Sequence, residues 1–201
     1  MNESMDGLIL AGGQGTRMGG VDKGLQLVNG APMVMHVANA MTNQVETLYV
    51  SANRSVDEYA AFGWHVIADR VPGFIGPLGG IHAALCASNA AWLMIAPCDV
   101  PAIAPGIFEA LVDRARRGAR DMVYAADGQR AHPVVAVVKT SLAQDLESYI
   151  LKGERKILPW YERHDAERMV FSRAECFQNV NTPEDRALVE RIMSTELKKT
   201  H

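Results

Sequence analysis

Short apolar runs alternate along the chain with stretches of helical spacing. Gly7-Leu8-Ile9-Leu10-Ala11 is too short for three helical turns and is bounded by glycines, so it predicts a buried strand. Pro32 to Met41 then places Met33, Val37 and Met41 on one helical face. Thr47 to Ser51 and His65 to Ala68 predict strands, with short helices expected at Asp57 to Phe62 and Gly80 to Ala87. Trp92-Leu93-Met94-Ile95-Ala96, halted by Pro97, is continuous in the manner of a strand covered on both faces, as in a parallel sheet. Ala104 to Arg117 predicts a helix that stops at Gly118. Met122 to Ala125 and Val134 to Val138 predict strands on either side of the turn dipeptide Asp127-Gly128. Helices are expected at Leu142 to Leu151 and at Pro183 to Met193, the latter with Thr182 as N-cap and Asp185 three residues on. Repeated strand-then-helix order argues for an α/β fold, a three-layer α/β/α sandwich around a Rossmann-like, mostly parallel sheet.

Composition narrows this little and excludes much. The chain has 201 residues, 48% hydrophobic, which suits one domain over residues 1–193 followed by a polar tail, 194–201, expected to fray. Twenty Lys+Arg against 23 Asp+Glu leave a net charge of −3, which argues against bulk binding to nucleic acid or to an anionic membrane. No stretch approaches the ~20 apolar residues of a membrane span, and Met1 to Asp6 lacks the basic-then-apolar layout of a signal peptide. Cys86, Cys98 and Cys176 form neither a secreted disulfide framework nor a closely spaced zinc site, so a cytoplasmic location is expected.

The richest segment follows the first strand: Leu10-Ala11-Gly12-Gly13-Gln14-Gly15-Thr16-Arg17-Met18-Gly19-Gly20-Val21-Asp22-Lys23. Five glycines free the backbone to turn its N–H groups inward, and Arg17 and Lys23 add positive charge, which together make a phosphate cradle. A P-loop is excluded because Gly24, not Ser or Thr, follows Lys23. A dinucleotide fingerprint is weak because Met18 stands where its third glycine belongs. Asp99 directly follows an apolar strand and so stands at the carboxyl edge of the sheet, where metal binding and simple Asx-turn formation are both open readings. No Ser-His-Asp or Cys-His arrangement stands out, and Cys98 reads as a small buried side chain.

Leu10-Ala11-Gly12-Gly13, Arg17-Met18-Gly19-Gly20 and Asp22-Lys23 resemble the signature of the sugar-nucleotide-type nucleotidyltransferases, and within them the molybdenum cofactor guanylyltransferases. Gly76-Pro77-Leu78-Gly79-Gly80, Pro97-Cys98-Asp99-Val100-Pro101, His132-Pro133 and Asn179-Val180-Asn181-Thr182-Pro183-Glu184-Asp185 continue the likeness in chain order. The resemblance implies a nucleotidyltransferase-type sheet and transfer of GMP from GTP to the phosphate of molybdopterin, bare or molybdenum-loaded, with release of pyrophosphate. The attacking phosphate monoester has a second pKa of about 6 and needs no general base, so the chemistry calls for cations instead.

The same resemblance implies roles residue by residue. Arg17 and Lys23 would neutralise the triphosphate, and Asp99 would hold Mg2+, with Asn181 as a second ligand or an orienting group. Leu10, Ala11, Gly12, Gly13, Ser51 and Asp69 would lie against the nucleotide. Ser51 takes this role where the family has an asparagine, in a segment that here reads Ser51-Ala52-Asn53-Arg54. Gly79, Arg130, His132, Asn179 and Asn181, together with Gly153 to Lys156, would face the molybdopterin. Transient contacts with molybdenum-insertion and molybdoenzyme-maturation proteins are implied as well. Two other readings remain: a cytidylyltransferase, expected to open with Leu-Ala-Ala-Gly, and a non-catalytic nucleotide-binding delivery protein of the same fold.

Overall fold

The computed structural model describes residues 3–12, 22–70, 75–118 and 120–199, with no side-chain account beyond Thr195. In chain order the elements are β1 (Met5–Leu10), β2 (Leu27–Val28), β3 (Ala31–Pro32), α1 (Met33–Met41), β4 (Leu48–Ser51), α2 (Val56–Ala60), β5 (His65–Ile67), α3 (Pro77–Ala87), β6 (Trp92–Pro97), α4 (Pro105–Arg117), β7 (Met122–Ala126), β8 (Ala131–Lys139), α5 (Ala143–Leu151), α6 (Ile157–Arg163), β9 (Glu167–Val170) and α7 (Pro183–Lys199). Seven strands form one sheet in the order β5-β4-β1-β6-β8-β7-β9. Every pairing is parallel except those of β8, which runs antiparallel to both β6 and β7.

Strand alternation sorts the core into two layers. On one face Ile9, Val50, Met94 and Ala96 pack with Val34 and Val37 of α1 and Phe108 and Leu111 of α4. On the other, Leu8, Leu93 and Ile95 pack with Leu78 and Ile81 of α3, Tyr149 of α5 and Trp160 of α6. The expected three layers are therefore present. A small third cluster of Val28, Met33, Val180 and Val189 seats α7 on the β2–β3 hairpin.

The sheet is mostly parallel, as expected, and the Asp127-Gly128 turn sends the one antiparallel strand, β8, back between β6 and β7. Three features depart from the sequence reading. The hairpin of β2 and β3 turns on Asn29-Gly30, both at positive φ, 47° and 79°, as a two-residue hairpin turn requires. α6 and the edge strand β9 also lie outside the expected elements. Finally, α7 continues through Ser194 to Lys199 rather than stopping at Met193, so those six positions of the expected polar tail are helical. Its start is as expected: Thr182 Oγ1 accepts the Asp185 N–H at 3.1 Å, and Asp185 Oδ2 accepts the Thr182 N–H at 3.0 Å, a reciprocal cap. No described helix is long and apolar enough to cross a membrane.

Candidate active site

The chain turns from β1 to β4 on one side of β1, while β6 lies on the other, so a topological switch point falls between β1 and β6. In open α/β sheets ligands bind in the crevice at the carboxyl ends of the strands at such a point. Backbone hydrogen bonds beyond the strand ends stitch this edge together: Ala52 N–H to Ile67 O, Ala11 N–H to Ser51 O, Cys98 N–H to Leu10 O and Val180 N–H to Asp99 O, at 3.1, 2.9, 3.0 and 2.9 Å. Loops distant in sequence are thereby held in one row.

Lys23 Nζ donates to Asp99 Oδ2 at 2.5 Å and to Asn181 Oδ1 at 2.7 Å. The three residues read from separate motifs thus converge on one ammonium. The other carboxylate oxygen, Asp99 Oδ1, is buried and has no hydrogen-bond partner among the described residues. An unpaired buried carboxylate oxygen costs free energy, so this atom is either strained or kept for a ligand. No group of three or more His, Cys, Asp or Glu side chains that could hold a metal ion occurs among the described residues.

A second group gathers at the ends of β4 and β5. Asn53 Nδ2 donates to Asp69 Oδ2 at 3.3 Å, and the Asp69 N–H donates to Asn53 Oδ1 at 3.4 Å. Gly12 adjoins this pair, since a Cβ placed on it would stand 3.5 Å from Asn53 Nδ2. The start of α3 closes over both: a Cβ on Gly79 would come within 2.8 Å of the Asp69 carboxyl carbon, and one on Gly80 within 2.8 Å of Ser51 Cβ. Gly76 makes this approach possible by adopting φ 64°, ψ −147°, open essentially to glycine alone. Gly79 therefore packs directly against the Asp69 carboxylate. Ser51 is 3% exposed and pressed beneath α3, whereas Asn53, two residues on, reaches the rim. Sequence reasoning named Asn53 without assigning it a role; the signal was its place just past the strand end.

The β7–β8 hairpin tip lies at the same edge of the sheet. Asp127 Oδ1 accepts the N–H groups of Gln129 and Arg130, each at 2.7 Å, and Oδ2 accepts from His132 Nε2 at 2.8 Å. The His132 ring stacks on Phe177, 4.2 Å between centroids. His132 is buried and fully engaged in shaping this tip, while Arg130 stands exposed upon it. Phe177 leads through Asn179 to Asn181, so the stack anchors the segment that reaches Lys23. Past the end of α5 the Arg155 guanidinium donates to the carbonyls of Ile150 at 2.8 Å and Glu154 at 2.7 Å. Cys98 is buried, and burial together with the Asp99 charge pushes its thiol well above the ordinary range, away from the nucleophilic thiolate. Gly13 and Arg17 lie outside the described residues.

Asp127 yields a stability prediction. The N–H of Arg130, then His132, then the N–H of Gln129 hold its carboxyl at about 2, below the ordinary 3.8. A depressed folded-state pKa stabilises the protein above the unfolded value and loses that stabilisation as pH falls through the folded one. The stability advantage of wild type over Asp127→Asn should therefore be constant above pH about 5 and shrink between pH about 4 and about 2. Denaturant titrations across that range check it, and a difference independent of pH would refute it.

A MobA-like NTP transferase domain model matches residues 7–168, and the chain belongs to that family of nucleotidyltransferases. It is similar to the molybdenum cofactor guanylyltransferase of Yersinia pestis (strain Pestoides F), 40% identical over 95% of this chain and 97% of that one. Among solved structures it resembles the molybdopterin-guanine dinucleotide biosynthesis protein A of Archaeoglobus fulgidus, with TM-score 0.78, 25% identity and 94% and 99% coverage of the two chains. The 4-diphosphocytidyl-2C-methyl-D-erythritol synthase of Anaerococcus prevotii shares the fold at TM-score 0.77 and 10% identity, covering 96% and 97%.

Proposed function

We infer that this chain is a molybdenum cofactor guanylyltransferase, which joins GMP from GTP to the terminal phosphate of molybdopterin and releases pyrophosphate. The observation that supports it best is the meeting of Lys23, Asp99 and Asn181 at the switch point of a nucleotidyltransferase sheet. A phosphate oxygen of the pterin attacks the α-phosphorus of GTP; one P–O bond forms, the bond to pyrophosphate breaks, and no redox change occurs. Lys23 supplies positive charge to the triphosphate, and Arg17 is assigned to the same task. Leu10, Ala11 and Gly12, with Asp69 beside Asn53, form the side given to the guanosine, to which Gly13 is assigned as well. Ser51 supports that side from beneath α3. Arg130 and Asn179 lie toward the second substrate, and His132 holds the hairpin tip that presents Arg130.

Asp99 Oδ1, without a partner among the described residues, suits a divalent cation, and Asn181 Oδ1 offers a second hard oxygen. Magnesium fits such a sparse donor set, because it is commonly held by one or two carboxylates plus substrate phosphates and water. When bound it would stabilise charge developing on the phosphate oxygens. The reading also places the protein in the cytoplasm, where its three free thiols remain reduced, in transient contact with the proteins that insert molybdenum and use the product.

The opening Leu10-Ala11-Gly12-Gly13 and the relatives favour guanine, so the cytidylyltransferase and the non-catalytic readings are set aside. With molybdopterin, magnesium and each of the four nucleotides in turn, the product mass should show GMP addition, with GTP preferred over CTP by at least about 100-fold, since a site built for guanine's donors and acceptor leaves them unpaired with another base. Equal or better turnover with CTP would move the assignment to the cytosine enzyme, and no turnover with any nucleotide would favour delivery.

A further inference from the structure

Lys23 rides on a single 3-10 turn, Lys23–Leu25, too short to fix its own direction. Two groups fix it from outside. Asp22 Oδ1 accepts the Gly24 N–H at 3.1 Å, and the same oxygen accepts the hydroxyl of Tyr59, which comes from α2, 37 residues away. Tyr59 is 0% exposed, and its ring lies in the core layer that also contains Cys98. Gly24 completes the clamp: a Cβ there would stand 2.5 Å from Tyr59 Oη and 3.3 Å from Cys98 Cβ. The phenol is thus wedged between the turn and the Asp22 carboxylate. Burial, reinforced by the bond to Asp22, pushes its pKa far above the ordinary range, so the hydroxyl stays a donor at any working pH.

We propose that Tyr59 is a positioning residue for nucleotidyl transfer: through Asp22 it locks the turn that aims Lys23 at Asp99 and Asn181. The idea rests on the reading of Lys23 as the cation of the triphosphate. Small misplacements of a charged group at a reacting centre can cost two orders of magnitude, whereas ground-state binding, spread over many contacts, suffers less. The Asp22 charge is not required by this scheme, because one oxygen makes both bonds and an amide oxygen can accept the same pair.

Five variants test it. Tyr59→Phe should retain its fold and a KM for GTP within about threefold of wild type while kcat falls about tenfold. Asp22→Asn should stay within about threefold of wild type, and Asp22→Ala should fall with Tyr59→Phe. In a Lys23→Met background Tyr59→Phe should cost nothing more, because the group it aims is gone; a merely structural tyrosine would give the same fractional loss in both backgrounds. Hydrogen exchange of the Gly24 amide should quicken about tenfold in Tyr59→Phe, a readout that needs no nucleotide. Additive losses, an Asp22→Asn variant as damaged as Asp22→Ala, or unchanged exchange at Gly24 would each overturn the proposal. Should Tyr59→Phe fail to fold, the contrast between the two Asp22 variants, in turnover and in Gly24 exchange, decides alone. Wild type inert toward GTP would instead overturn the functional reading, leaving the clamp to stand or fall on exchange.

Discussion

Asp99→Asn is expected to fold with a Tm close to wild type and to turn over at least about 100-fold more slowly. The fold should survive because the change is nearly isosteric and an amide oxygen can still accept from Lys23 Nζ, now 2.5 Å from Asp99 Oδ2. The loss of the ion pair with a 30% exposed lysine is modest, and it is offset by removing the charge of a part-buried carboxylate whose second oxygen is buried with no partner among the described residues. Turnover should not survive, since the change removes the one anionic ligand of the proposed ion and leaves two neutral amide oxygens to hold a doubly charged cation. Losing its stabilisation of developing charge by about 2.7 kcal/mol is a factor of 100. GTP affinity should weaken less than kcat, because the proposed contacts of Lys23 and Gly12 with the ground-state nucleotide would remain. Added magnesium should recover part of the rate by mass action. Steady-state rates against magnesium for both proteins provide the measurement, and near-wild-type turnover with an unchanged magnesium dependence would remove Asp99 from the mechanism.

What made Asp99 legible was the strand before it. Trp92 to Ala96 is continuously apolar, Pro97 ends it, and the next polar residue must stand at the sheet's carboxyl edge. The same logic placed the Gly12 loop after β1. Other elements left weaker signals. Pro159 lies inside the seven-residue helix α6 and breaks the helical pattern there. β9 is a four-residue edge strand, Glu-Arg-Met-Val, whose half-buried and exposed positions alternate, so no apolar run marks it. The β2–β3 hairpin could have been read, since Asn29-Gly30 is a strong two-residue turn signal, but strands of two residues fall below any periodicity.

Within the site, residue types were legible and partners were not. His132 belonged to a motif, yet its bond to Asp127 and its stack on Phe177 depend on how the hairpin tip meets a loop 45 residues later. Gly79 and Gly80 stood in a motif too, but only the packing of α3 shows that their missing side chains make room for Asp69 and Ser51. The Tyr59–Asp22 bond has no local trace, because nothing in a five-residue helix says which loop its buried hydroxyl will meet.

Lys23→Met should cost about 1,000-fold in kcat/KM for GTP, the largest single effect expected at this site. Lys23 is the one cation among the described residues bonded to both Asp99 and Asn181, so its removal leaves two acceptors facing each other with no proton between them. Two polyanions must then approach without the charge that screens them, and a preorganised cation in a water-poor site can supply several kcal/mol of such stabilisation, each 1.36 kcal/mol being tenfold. The loss should appear in both KM and kcat, because the triphosphate is charged before the reaction and more unevenly charged during it. Lys23→Arg should recover less than about a tenth of the wild-type rate. A planar fork does not place one compact charge 2.5 Å from Asp99 and 2.7 Å from Asn181. Kinetics for the three proteins, with GTP calorimetry and Tm to separate binding from folding, decide the matter. A Lys23→Met protein that keeps its kcat/KM, or a Lys23→Arg protein indistinguishable from wild type, would show that the ammonium bridges Asp99 and Asn181 only to hold the loops together.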